Sequence, residues 1–309
     1  MDDWPALLGH PGAERIGAGT EGTVYRLDDE LVAKVWHDRD AARLRPLAAA
    51  YAELAGAGLP FATPRIEQID TVAGRTVSIE HRLTGVPLSD LFADGTVSVP
   101  DAYRLVLDVL AALATAPAGP AVTALPVLGE ADSPWWPGAR WGQVLAAVLA
   151  RRISRFGGQL RAAVPGFDEL VAATVRRLAE LPDRRGGLLH GDLCLPNVLV
   201  ADGRVSALLD WGLLTTRGDP AFDAATFAAF FDMYSPRAAE HTRALTEAVC
   251  RRFGHPPELL ALYRAWFALV GANLYDPLGR DGHFAWCVRT LTDPWLTELV
   301  HRPAGDRGV

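Results

Sequence analysis

Residues 188–212 read LLHGDLCLPNVLVADGRVSALLDWG. Two apolar runs, NVLV and VSALL, flank Asp202-Gly203, a pair suited to the left-handed backbone of a two-residue turn. The spacing predicts a β-hairpin over 198–210. Asn197 stands just before the first arm and Asp210 at the end of the second, so an antiparallel hairpin brings an amide and a carboxylate to the same end. Immediately upstream, His190, Gly191 and Asp192 form a short polar loop between segments that favour burial. A carboxylate at the mouth of a buried strand is costly unless it is paired or bound to metal. Asn197 and Asp210 offer hard oxygen ligands suited to Mg2+. Asp192, if it faces a cleft, is placed to take a proton from a hydroxyl.

Near the other end, residues 14–36 read ERIGAGTEGTVYRLDDELVAKVW. The pattern is a strand, a glycine loop, a strand, a turn at 28–30 and a third strand over 31–36. Gly17, Gly19 and Gly22 make a G-x-G-x-x-G, which in a dinucleotide-binding fold opens a helix. Here a strand follows, TVYRL, the context of a loop laid over phosphates. Lys34, on the third strand, is within reach of phosphates under that loop. It is the only lysine in a chain with 30 Lys and Arg residues. A composition so rich in Arg that still keeps one Lys points to a position needing a compact ammonium.

A helix is expected over 39–56, then strands at 65–70 and 75–82 joined by Ala73-Gly74. Helical patterns follow near 101–115, 139–156, 167–181, 221–234, 237–253, 257–275 and 283–301, with a loop at 116–126 and a frayed tail over 302–309. The expected fold is therefore α+β: a small β-rich lobe over 1–85 and a larger, mainly helical lobe over 86–309.

A net charge of −7 argues against a nucleic-acid partner. Cys194, Cys250 and Cys287 lie far apart with no CxxC pair, which fits a reducing cytoplasm rather than a zinc site. The N-terminus lacks the apolar core of a signal peptide. The apolar run 105–128 is broken by Asp108, Pro117, Pro120 and Pro126, so no membrane span is expected. The expectation is a cytoplasmic monomer or weak dimer.

HGDLCLPNVLV, then LLDWG and GDPAFDAA, resembles the signature of the aminoglycoside phosphotransferase and choline kinase family, whose fold is protein-kinase-like. The resemblance runs from the glycine loop to Asp223. It implies ATP or GTP as co-substrate, Mg2+ as cofactor, Asp192 as catalytic base, and Asn197 and Asp210 as metal ligands. The small lobe becomes the nucleotide-binding part and the large lobe the catalytic and substrate-binding part. The resemblance also implies that His190, Asp219 and Asp223 brace the loop, and that His81 and Leu83 meet adenine through their backbone. A helix carboxylate should pair with Lys34. Glu53, the only carboxylate between Asp40 and Glu67, is the available residue. Asp219 also has a simpler role, as an N-cap with Pro220 at the first helical position.

Two departures bear on the acceptor. The loop reads HGD where protein kinases carry HRD, and only six residues separate Gly212 from Asp219. That leaves no room for an activation loop, so a small-molecule hydroxyl is expected. The resemblance implies an antibiotic-like acceptor, of aminoglycoside type first. Macrolides and other natural products, metabolic acceptors (choline, homoserine, a sugar) and a non-catalytic nucleotide-binding module are the alternatives. Charge supports a polycation weakly: the excess of acid is larger in 1–90 (14 against 9) than in the remainder (23 against 21).

Overall fold

The computed structural model describes residues 3–19, 21–183 and 186–302. The expected fraying of the tail falls, from residue 303 on, outside the described residues. The chain opens with helix α1 (Trp4–Leu7) and a five-stranded antiparallel sheet ordered β1-β2-β3-β5-β4. Its strands are β1 (Glu14–Ala18), β2 (Gly22–Arg26), β3 (Leu31–Trp36), β4 (Ile66–Val72) and β5 (Arg75–His81). Alternation along β3 sorts the faces. Ala33 and Val35 pack with Val77 beneath Trp4 and Leu8. Lys34 and Trp36 share the opposite face with Ser78, which stands directly across from Lys34. The 28–30 turn is fixed by Asp28, whose carboxylate accepts from the amides of Glu30 and Leu31, both at 2.8 Å. Of the three loop glycines, Gly22 is the one that packing demands: a Cβ there would lie 2.5 Å from the Val35 carbonyl oxygen.

Between β3 and β4 runs α2 (Ala41–Ala55), capped by Asp40. Its buried residues, Leu44, Leu47, Ala50, Tyr51 and Leu54, follow the 3.6-residue period of an amphipathic helix. With Trp36 they belong to the same core as the helical lobe. The small lobe is thus wedged onto the large one by this helix.

The large lobe comprises β6 (Val86–Pro87), α3 (Leu88–Ala93), α4 (Val99–Thr115), α5 (Pro120–Thr123), α6 (Trp141–Ala163), α7 (Phe167–Ala179), β7 (Gly187–Leu189), β8 (Val198–Ala201), β9 (Arg204–Leu208) and β10 (Thr216–Gly218). It continues with α8 (Ala221–Phe230), α9 (Ala238–Phe253), α10 (Pro257–Gly271), α11 (Gly282–Leu291) and α12 (Pro294–His301). Every residue of α8 and all of α10 from Leu259 are buried, so these two helices form the centre and the others coat them. The predicted helix 283–301 is in fact two. Asp293 accepts from the Trp295 amide at 2.9 Å and Pro294 starts the second, a start signal inside an apolar run. The predicted helices 221–234 and 257–275 stop earlier, at Phe230 and Gly271, and the 116–126 loop contains α5.

The predicted hairpin is β8 and β9, with Asp202 and Gly203 both left-handed (φ 50° and 69°). A second ribbon was not foreseen: β7 pairs antiparallel with β10. The two ribbons hold the loops 190–197 and 209–215 side by side. Among the described residues no helix is long and apolar enough to cross a membrane.

Candidate active site

The loop that follows β7 is fastened from several sides. Gly191 has φ 80°, and a Cβ on it would lie 2.4 Å from Leu214 Cβ, so glycine is needed twice over. Asp223, fully buried on α8, accepts from the amides of His190 (2.7 Å) and Gly191 (2.9 Å). Thr215 Oγ1 donates to the His190 carbonyl at 2.8 Å. The His190 ring is buried against Trp211, and burial lowers its pKa to about 4, so it is neutral near pH 7. Its Nδ1 accepts from the Asp192 amide (3.2 Å), which leaves Nε2–H to donate to the Leu209 carbonyl (2.8 Å). His190 thereby ties the loop carrying Asp192 to the segment carrying Asp210. Asp219 sits elsewhere. It accepts from the Ala221 amide (3.0 Å) and from Tyr263 Oη (3.0 Å), joining the start of α8 to α10.

The hairpin closes as its sequence predicts. The Leu209 amide donates to the Asn197 carbonyl at 2.8 Å, which sets Asn197 beside Asp210. Asn197 Nδ2 donates to the Asp192 carbonyl at 2.9 Å, so its side-chain oxygen is the atom left to accept or to ligate. Asp210, with φ 53°, presents an exposed carboxylate. Among the described residues no three His, Cys, Asp or Glu side chains converge on one metal position. One carboxylate plus one amide oxygen is instead a fit for Mg2+, which keeps waters and completes its shell with phosphate oxygens. Asp192 is raised to about 7, chiefly by burial, with Asp210, Glu21 and Asp223 adding like charge. Such an anionic cleft favours a cation.

On the sheet side, Lys34 Nζ lies 3.2 Å from Glu21 Oε2 and 3.7 Å from Asp210 Oδ1. Glu21 also binds Arg39, and both cations stand over the Trp36 ring. Glu53 is not brought to Lys34. Its carboxylate accepts from the amides of Ala121 (2.8 Å) and Val122 (3.1 Å), capping α5 in the large lobe. The cause is helical phase: Leu47, Ala50, Tyr51 and Leu54 take the buried stripe, and Glu53 falls off it. Two carboxylates missed in the sequence stand on the Lys34 side instead. One is Glu21, within the glycine loop. The other is Glu80, half-buried on β5 and bonded to Ser78, its pKa raised by burial against the opposing pull of Lys34. The signal for Glu80 was alternation, since Ser78 and Glu80 interrupt an apolar strand on the face of Lys34. The His81 amide donates to the Arg65 carbonyl (3.0 Å), so a base contact by His81 is left to its carbonyl oxygen. Leu83 lies two residues further on, between β5 and β6.

The capping role of Glu53 carries a prediction. Glu53→Ala leaves two part-buried amides without their acceptor, at about 1–3 kcal/mol for each. The melting temperature should fall while nucleotide affinity stays within about twofold of wild type. An unchanged melting temperature with lost nucleotide affinity would restore Glu53 as a partner of Lys34.

A small antiparallel sheet wedged onto a helical lobe, with a glycine loop over one sheet edge, is the architecture of the protein-kinase-like phosphotransferases. The chain belongs to the phosphotransferase enzyme family, whose profile matches residues 12–272. Among solved structures it is similar to a thermostable mutant of aminoglycoside phosphotransferase APH(4)-Ia in its apo form, with 20% identity, 98% of each chain covered and a TM-score of 0.64. It is also similar to aminoglycoside phosphotransferase APH(3'')-Id from Streptomyces rimosus in complex with ADP and streptomycin (21% identity, 91% of this chain and 100% of that one, TM-score 0.53). A third is macrolide 2'-phosphotransferase MphH from Brachybacterium faecium (21%, 95% and 99%, TM-score 0.57). Identities this low carry the fold alone. No curated protein matches the chain.

Proposed function

We propose that the protein transfers the γ-phosphate of ATP or GTP to a hydroxyl of an antibiotic-like natural product, with aminoglycosides the first class to test. The observation that carries this reading is the clustering of the four residues: Lys34 lies 3.7 Å from Asp210, Asn197 donates to the Asp192 carbonyl, and Asp192 feels the charge of Asp210. In this reading the small lobe, up to about residue 85, holds the nucleotide. Gly17, Gly19 and Gly22 cover the phosphates and Lys34 meets them with its ammonium, exchanging Glu21 for phosphate oxygens. The carbonyl of His81 and the amide of Leu83 take the base. Mg2+, when held by Asn197 and Asp210, neutralises phosphate charge. Asp192 orients the acceptor hydroxyl and accepts its proton as the oxygen attacks in line. His190 and Asp223 keep Asp192 in place.

An amine-bearing acceptor is favoured by Asp281. Its Oδ1 caps α11 through the Phe284 amide, while its buried Oδ2 has no partner among the described residues. Tyr275, exposed and in edge contact with the His283 ring, lies within electrostatic range of both Asp192 and Asp281, which supports an acceptor that reaches from one carboxylate towards the other. The exposed ring of Tyr234 stands beside Gly282 and suits a sugar face. Three free cysteines fit a cytoplasmic enzyme, and we infer a monomer or weak dimer.

The test is a phosphorylation screen of aminoglycosides, macrolides, choline, homoserine and sugars with ATP and GTP, ranked by kcat/KM. Nucleotide binding without any turnover would favour a non-catalytic module. Lys34→Met should lower kcat/KM for the nucleotide by about 10²-fold, the loss of a charge-assisted contact to phosphate. Unchanged kinetics would remove Lys34 from the site.

A further inference from the structure

A cavity opens on the large lobe between residues 128–136 and the middle of α6. It measures about 530 Å³, within the range that houses small ligands. Lys34, Asp192, Asn197 and Asp210 do not line it. Arg151, Arg152 and Arg155 do, opposed by Glu130 and Asp132. Arg151 is already neutralised, since Glu130 accepts from its Nε at 3.0 Å and its Nη2 at 2.6 Å.

Arg152 is different. The residue is 8% exposed, and its Nε donates to the Val270 carbonyl at 2.9 Å. Its guanidinium stands over the Phe156 ring at 4.4 Å, and Arg155 stands over the same ring at 4.9 Å. Arg152 Nη2 has no acceptor among the described residues. Burial, and then the like charge of Arg155, lower the Arg152 pKa against a smaller opposing pull from Glu130, which is itself bound to Arg151. A buried guanidinium with a second cation beside it and, among the described residues, no carboxylate paired to it is a costly arrangement that an anion relieves. Arginine forks match carboxylate and phosphate geometry.

We propose that this cavity is an anion-binding site, in which Arg152 and Arg155 hold a small molecule bearing a carboxylate or phosphate. Its wall is tied to the segment that follows Asp210. The Leu128 amide donates to the Leu213 carbonyl (2.8 Å), Trp135 Nε1 donates to Thr216 Oγ1 (2.8 Å), and Arg217 lies over the Trp135 ring at 3.9 Å. An occupant therefore bears on the strand leaving the catalytic cleft.

Calorimetric titration of the whole chain with inorganic phosphate and with tricarballylate tests the site without reference to catalysis. Wild type and Lys34→Met, which lacks the ammonium of the nucleotide cleft, should bind with the same affinity. Arg155→Glu, at an exposed position outside the core, should weaken binding by about tenfold or more. Arg152→Met should abolish it, and Arg155→Glu keeps the test valid if that variant fails to fold. Two further arms name the source. If the anion belongs to the acceptor, Arg155→Glu lowers kcat/KM for acidic acceptors and spares neutral ones. If it is free, added phosphate changes kcat/KM for a neutral acceptor in wild type and not in Arg155→Glu. Absence of saturable binding, or binding that Arg155→Glu leaves unchanged, overturns the site.

Discussion

Asp192→Asn should lower kcat by about 10²–10⁴-fold, the usual share of a positioned general base. The substitution keeps the shape of the side chain and removes its ability to take a proton. The Asp192 main chain is held by His190 Nδ1 and by Asn197 Nδ2, so the loop has no reason to move. Nucleotide binding should be retained or improve slightly, because Asp210 and Glu21 lose a like-charged neighbour. Burial raises Asp192 to about 7, so the wild-type rate should climb with pH below about 7 and level off above it, as the base loses its proton. A cation between Asn197 and Asp210 offsets the Asp210 charge, and the rising limb should then move to lower pH. Steady-state kinetics across pH, with binding of a non-hydrolysable nucleotide measured alongside, checks both points. Turnover in Asp192→Asn within about tenfold of wild type would show that another group takes the proton.

Some of this geometry is legible in the sequence because it rests on short-range rules. Asp202-Gly203 between two apolar arms fixes a two-residue turn, and the turn fixes the register that sets Asn197 beside Asp210. The strand after GAGTEG separates this loop from a dinucleotide fold, and β2 confirms that strand. The pairing of β7 with β10 is different. Each arm has three residues, and β7 is buried throughout, so there is no alternation to read. Their pairing depends on segments brought together only after the helices pack.

Glu53 shows a second kind of failure. Counting carboxylates left one residue between Asp40 and Glu67 to pair with Lys34, but counting ignores rotation about the helix axis. At 100° per residue, the stripe through Leu44, Leu47, Tyr51 and Leu54 already says which way α2 faces, and Glu53 is not on it. What the sequence alone does not give is that α5 arrives from the large lobe with two amides needing an acceptor. The aromatic side chains divide in the same way. Trp266, Trp286, Phe230 and Phe231 are core, whereas Trp136, Tyr234, Tyr275 and Trp295 remain exposed.

Asp223→Ala should be the most damaging change outside the reacting groups. It strips the acceptor from two buried amides, those of His190 and Gly191, at about 1–3 kcal/mol each. It also frees the turn that aims Asp192, and a displacement of about 1 Å there can reduce kcat by about 10²-fold. The pH dependence supplies a check that simple instability does not. Burial raises Asp223 to about 7, above the ordinary value of 3.8. The folded state therefore holds a proton that the unfolded chain releases between those two values. Stability from this group is greatest below the lower value and declines as pH rises through about 7, where the buried carboxylate must ionise. Burial of neutral His190 acts the other way, adding stability as pH rises between about 4 and its ordinary 6.5, so the difference between the two proteins is what reports Asp223: Asp223→Ala should cost more at about pH 5 than at about pH 8. Chemical denaturation of the metal-free protein at the two pH values measures this directly. An equal cost at both would mean that Asp223 is ionised throughout and that its two amide donors outweigh its burial.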